Sequence, residues 1–125
     1  MSRQYLIDTV ILIDHFKGIS MSSRWLSSLK AQEAVISVIT LAEILSGALK
    51  EEEERIYSLL ASFECLSIGP STAKLAASLR QKWHFKLPDA FQAALALENQ
   101  LLLVTRNTKD FPPRIHSFVK IPYQL

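Results

Sequence analysis

A chain of 125 residues, 49% hydrophobic and 21% charged, is sized for one globular domain, residues 1–125, with a core of its own. Its single cysteine, Cys65, excludes a disulfide framework and a cysteine-built metal centre, and suits a reducing, cytoplasmic compartment. The net charge of +2 is unevenly spread: residues 1–64 carry 6 basic and 9 acidic side chains, residues 65–125 carry 8 and 3.

The first apolar run, Tyr5-Leu6-Ile7, reads as a strand, and a short helix follows it to about Gly18. Asp8 and Asp14 interrupt this apolar segment and no small-residue cleavage site follows, so neither a signal peptide nor a membrane span is expected. "SSRWLSSLKAQ" has helical spacing through Trp25, Leu26 and Leu29. "AVISV" reads as a second strand and "ITLAEILSGAL" as a helix. The acidic run Glu51–Glu54 suits the first turn of the next helix, "EERIYSLLASF", where it complements the helix dipole. "CLSI" reads as a short strand and Gly69-Pro70 as the turn after it. "TAKLAASLRQKW" is helical, and Pro88 opens the helix "PDAFQAALALEN". "LLLV" is a buried strand, with "FVKI" as one more near the end. Strands alternating with helices imply a mainly parallel sheet covered on both faces, a three-layer α/β/α sandwich.

Ligands of such sheets bind beyond the carboxyl ends of the strands. Asp8 lies at one such end, and Thr105, Arg106 and Asn107 at another. A buried carboxylate at Asp8 is costly unless something pairs with it or solvates it. Asp89 falls in the first turn of its helix, where an acid also has a plain capping role. Glu43 lies on the polar stripe of an otherwise apolar helix, with no Lys or Arg three or four residues away to pair with it. Gly47, one turn on, weakens that helix and suggests close approach of a ligand or backbone to its face. Asp14 is explained by a local pair with Lys17. The three histidines share no metal-ligand spacing, and Trp25 and Trp83 read as core or interface residues. Asp8, Glu43 and Asp89 together form an oxygen-only donor set that suits Mg²⁺, with Mn²⁺ as a substitute. A divalent cation would relieve the repulsion of three like charges in one crevice. Arg80, Lys82, Lys86, Arg106, Lys109 and Arg114 surround Asp89 and Asp110 in sequence, either as a solvated surface or as a polyanion track.

"YLIDTVILID", "SVITLAEILSGAL", "LPDAFQAALAL" and "LLLVTRNTKDF" together resemble the PIN domain, specifically the VapC-type toxins of toxin–antitoxin pairs. These segments span nearly the whole chain in the family's order. The resemblance implies a Mg²⁺-dependent endoribonuclease with Asp8, Glu43 and Asp89 as its first three acids, Glu43 acting in part through water. The fourth acidic position falls at Asn107, with Asp110 as a candidate fourth acid. It further implies an RNA substrate held by Arg80, Lys82, Lys86, Arg106 and Lys109, a small VapB-type antitoxin that covers the site, and a homodimer. One departure is Val10, where relatives usually carry Asn or Ser. Val10 and the neutral Asn107 leave open a second reading, a weakly active PIN-fold module working in an antitoxin complex on operator DNA. A phospho-acceptor receiver domain fits poorly, because "AVISV" and "CLSI" end without an acid.

Overall fold

The computed structural model describes residues 2–125. Five short strands, β1 (Tyr5–Ile7), β2 (Ala34–Ser37), β3 (Glu64–Leu66), β4 (Leu102–Val104) and β5 (Val119–Lys120), form one sheet. Among the described residues there are six α-helices, α1 (Thr9–Phe16), α2 (Ser20–Ser27), α3 (Val38–Ser46), α4 (Glu53–Leu60), α5 (Pro70–Trp83) and α6 (Leu87–Glu98), with one turn of 3-10 helix (Lys50–Glu52) leading into α4. The strand order is β3-β2-β1-β4-β5 and every pairing is parallel. The expected three-layer α/β/α sandwich is therefore the observed one.

Period-two alternation along the strands builds the two helical layers. Leu6, Val35, Leu103 and Val119 face one side and pack with Ala76 of α5, Ala90, Ala93 and Ala94 of α6, and Phe111. Their neighbours Ile7, Ala34, Ile36 and Val104 face the other, against Ile11 and Leu12 of α1, Ile44 of α3, and Ile56 and Leu60 of α4. β1 carries apolar residues on both faces because it is the central strand, with Leu6 and Ile7 fully buried. The small alanines of α6 let that helix lie close on the sheet.

Most expected elements fall where the apolar spacing puts them. Val38, read with the second strand, instead opens α3, because the Ser37 side chain caps the helix by accepting the Thr40 N–H at 3.2 Å. Gly18 ends the first helical segment with φ +83°, a conformation that favours glycine. Gly47 is the C-cap that follows α3, and a side chain there would meet nothing closer than the Glu43 carbonyl at 3.9 Å. No other backbone of the chain approaches Gly47 closely, and the glycine follows the end of a helix. Trp25 packs edge-on against Tyr5 at 5.7 Å, as a core-flanking residue.

The chain runs outward through β1, β2 and β3, then returns to place β4 on the opposite side of β1. The order therefore reverses between β1 and β4, and a crevice is expected beyond their carboxyl ends. The Asp8 N–H donates to the Val104 carbonyl at 2.8 Å, which locks the ends of these two strands together.

Candidate active site

Asp8 leaves β1 and caps α1, its Oδ1 accepting the Thr9 N–H at 2.9 Å. The same oxygen accepts from Gln92 Nε2 at 3.3 Å, and Oδ2 accepts from the Thr105 hydroxyl at 2.7 Å. Asp8 is 8% exposed and all three donors are neutral. Burial pushes its carboxyl above the usual carboxylate range, the three hydrogen bonds oppose that shift, and the Glu43 charge adds to it.

Glu43, on α3, reaches the same place from the opposite wall. Its Oε1 accepts the Thr9 hydroxyl at 2.7 Å, and Thr9 in turn bonds Thr40 at 2.8 Å. Asp89, in the first turn of α6, is partly buried. Its pKa is pushed up to about 6, first by burial and then by the charges of Asp8 and Asp110, with a smaller push from Glu43. Thr9 bonds both Asp8 and Glu43, Thr105 links Asp8 through Asn107 to Asp110, and Asp89 lies near enough to feel the charges of all three, so the four acids border one crevice. Among the described residues, the ion pairs are Arg3–Glu64, Arg55–Glu52 and Arg106–Asp14, so none of the four crevice acids has a cationic partner in contact.

Asn107 and Asp110 share one turn after β4. Asn107 Nδ2 donates to Asp110 Oδ2 at 2.7 Å, and the Asp110 N–H returns a bond to Asn107 Oδ1 at 3.2 Å. The Asn107 N–H also donates to Thr105 Oγ1 at 3.1 Å. Asn107 is therefore committed to shaping the turn, and it is Asp110 that adds charge to the crevice.

The basic residues divide. Lys86 lies near enough to Asp89 to oppose the rise in its pKa, and Lys109 is exposed beside the Asn107 turn. Arg80 is exposed and donates to the Phe85 carbonyl at 2.9 Å, while Lys82 lies over the Trp83 ring at 5.0 Å. Arg106 has a different partner: its Nε and Nη2 donate to Asp14 at 2.5 and 2.9 Å. Tyr123 donates to the same Asp14 carboxylate at 2.7 Å. The expected local pair of Asp14 with Lys17 is thereby corrected. A bidentate guanidinium fits a buried carboxylate better than an exposed ammonium does, and Asp14 is 1% exposed. Arg106 holds the Asp14 carboxyl below the usual range, and burial together with the Asp14 charge pushes the Tyr123 hydroxyl up to about 12.

The oxygen-only donor set and its unpaired charge fit a hard divalent cation. Among the described residues no three His, Cys, Asp or Glu side chains converge tightly enough to hold a metal unaided. Val10, in place of the usual polar residue, packs into the α1-side core. Residues that the acid pattern overlooks are Ser37, Thr40 and Gln92, all buried and polar. The signal for Gln92 was present, as the one uncharged polar side chain inside "AFQAALAL", one turn from Asp89.

The sequence profile of the PIN domain matches residues 5–112. The chain belongs to the PIN domain family. Ribonuclease VapC10 of Mycobacterium tuberculosis is 31% identical over 113 residues, covering 86% of this chain and 85% of that one. A toxin–antitoxin complex from Klebsiella pneumoniae contains a chain 38% identical to this PIN domain, with a TM-score of 0.89 over 98% of this chain and 100% of that one. FitAcB from Neisseria gonorrhoeae shares the fold, with a TM-score of 0.79 at 24% identity, over 98% and 100% of the two chains. Within the family this PIN domain is of the VapC type. No helix among its described residues is long and apolar enough to cross a membrane.

Proposed function

We propose that this VapC-type PIN domain is the toxin of a toxin–antitoxin pair and a metal-dependent endoribonuclease, with the crevice beyond β1 and β4 as its active site. The observation that carries the reading is the gathering of Asp8, Glu43, Asp89 and Asp110 in one crevice, none with a cationic partner. The similarity to Ribonuclease VapC10 supports the substrate class, and the Klebsiella neighbour supports an antitoxin partner.

Asp8 and Asp89 would hold Mg²⁺ directly and Glu43 through water, with Mn²⁺ as a substitute. A bound divalent ion supplies a lowered pKa for water and neutralises charge on the phosphate during in-line hydrolysis. The Thr105 hydroxyl, the Thr9 N–H and the Gln92 amide donate to Asp8 and offset part of the effect of its burial. Thr9 anchors Glu43 at the rim. Asn107 orients Asp110, which takes the place of the fourth acid. Arg80, Lys82, Lys86 and Lys109 would contact RNA phosphates, which position the strand without reading its bases. Arg106 adds to that track only through the face of its guanidinium left free by Asp14.

Sequencing of RNA ends after expression without the antitoxin tests this reading. Endonucleolytic ends bearing 5′-phosphates, absent from cells expressing Asp89→Asn, are the expected result. Growth arrest with intact RNA would overturn it. Replacing Asp110 and Asn107 separately by Ala checks the fourth position: Asp110→Ala should weaken metal binding more than Asn107→Ala.

A further inference from the structure

Gln92 is 1% exposed on a helix whose other buried residues are Ala90, Ala93, Ala94, Leu95 and Ala96. An amide is retained in such a place only where its polar atoms have partners, and here both the oxygen and the two N–H groups do. Gln92 Oε1 accepts the Ser37 hydroxyl at 2.7 Å. Gln92 Nε2 donates one hydrogen to Asp8 Oδ1 at 3.3 Å and the other to Thr40 Oγ1 at 2.9 Å. The directions of the remaining bonds follow from proton counting. An ionised Glu43 only accepts, so Thr9 donates its single hydroxyl hydrogen to it. Thr40 must then donate to Thr9, and it can do so because its own oxygen receives the Gln92 amide. The chain runs one way, from Ser37 through Gln92 to Asp8, and from Gln92 through Thr40 and Thr9 to Glu43.

This ordering distinguishes the two oxygens of Asp8. Oδ1 has both acceptor sites filled, by Thr9 N–H and Gln92, whereas Oδ2 holds only the Thr105 bond. We propose that Gln92 is a positioning residue of the site: its amide fixes the Asp8 carboxylate with Oδ2 presented to a divalent cation and, through Thr40 and Thr9, sets the position of Glu43. The inference rests on the metal-dependent reading above, and goes beyond it by assigning a structural origin to the geometry of two acids on different elements. Gln92 touches neither cation nor RNA.

Mn²⁺ titration of the purified, antitoxin-free full chain, followed by calorimetry well below the melting temperature, tests it. Gln92→Met keeps side-chain length and removes every polar bond, and Mn²⁺ affinity should fall about 10-fold or more, as for other groups that orient metal ligands. Thr40→Val should weaken Mn²⁺ binding less, Thr40→Ser should restore it, and Gln92→Met with Thr40→Val should lose less than the sum of the two. Unchanged Mn²⁺ affinity in folded Gln92→Met, with wild-type binding and RNA cleavage intact, overturns this inference and leaves the ribonuclease reading standing. Absence of Mn²⁺ binding by the wild type overturns both. Should Gln92→Met fail to fold, the side-chain amide resonances of Gln92 in the wild type decide. They should shift on Mg²⁺ addition, and amide signals unmoved at saturating Mg²⁺ overturn the proposal.

Discussion

Asp14→Asn should destabilise the protein although Asp14 lies outside the acidic crevice. The side chain is 1% exposed and accepts three hydrogen bonds, two from Arg106 and one from Tyr123. Removing one partner of a fully buried ion pair typically costs about 3–5 kcal/mol. The Arg106 side chain keeps 33% exposure, so water recovers part of its solvation. About 2–3 kcal/mol remains after that discount. For a domain of this size, that lowers the melting temperature by about 10 °C. Arg106 holds the folded-state carboxyl below the unfolded value of 3.8. As pH falls, the unfolded chain takes up this proton before the folded one does. The pair's stabilisation is therefore complete above the unfolded value and lost as pH drops through the lowered folded value. Thermal melts of wild type and variant in EDTA, at neutral pH and in acid, should show a wide gap at pH 7 that narrows below about pH 4. A gap under about 3 °C at pH 7 would show that the Asp14–Arg106–Tyr123 contact contributes nothing to stability.

Asp8→Asn should abolish cleavage while leaving thermal stability in EDTA within about 1 kcal/mol of wild type. Relief of a buried charge offsets the loss of a charged hydrogen bond worth about 1.5–3 kcal/mol. A clear drop in melting temperature would mark Asp8 as structural. In metal-free buffer, the raised folded pKa of Asp89, about 6 against 3.8 unfolded, makes the folded state bind the extra proton between those values. Stability should therefore fall as pH rises through that window and level off above it, by about 1–2 kcal/mol given the partial exposure of the group. Asp89→Asn should flatten that slope to the part that the raised carboxyl of Asp8 supplies, and a slope unchanged in the variant contradicts the assignment. RNA binding should weaken as salt rises, and Lys86→Ala or Lys109→Ala should flatten the dependence with metal affinity unchanged. Equal salt slopes in wild type and both variants would leave these lysines as solvated surface.

The strands and helices were legible because their apolar spacing is regular and both sheet faces are covered. The convergence of Asp8, Glu43 and Asp89 was legible from strand-end position and from the absence of local partners. What sequence spacing could not supply were contacts between distant elements. Asp14 appeared satisfied by Lys17 because a neighbour three residues away is visible, whereas Arg106 and Tyr123 lie 92 and 109 residues further on. Gly47 follows the end of α3, a boundary that the apolar spacing of the helix did not mark. Gln92 escaped a search for charged groups because its function is to complete a hydrogen-bond chain through Ser37 and Thr40, which only the folded packing of α6 on α3 creates. Asn107 falls at the family's acidic position, and its reciprocal bonds with Asp110, between side chains and backbone, are a contact that spacing alone does not show.

We propose that the crevice of Asp8, Glu43, Asp89 and Asp110 hydrolyses RNA with a divalent cation. Incubation of purified, antitoxin-free protein with end-labelled single-stranded RNA, with Mg²⁺, with EDTA and with Asp8→Asn, measures this directly. The wild type should cleave internally in Mg²⁺ alone, with no cleavage in EDTA or by the variant. Cleavage that persists equally in EDTA, or in Asp8→Asn, would contradict it.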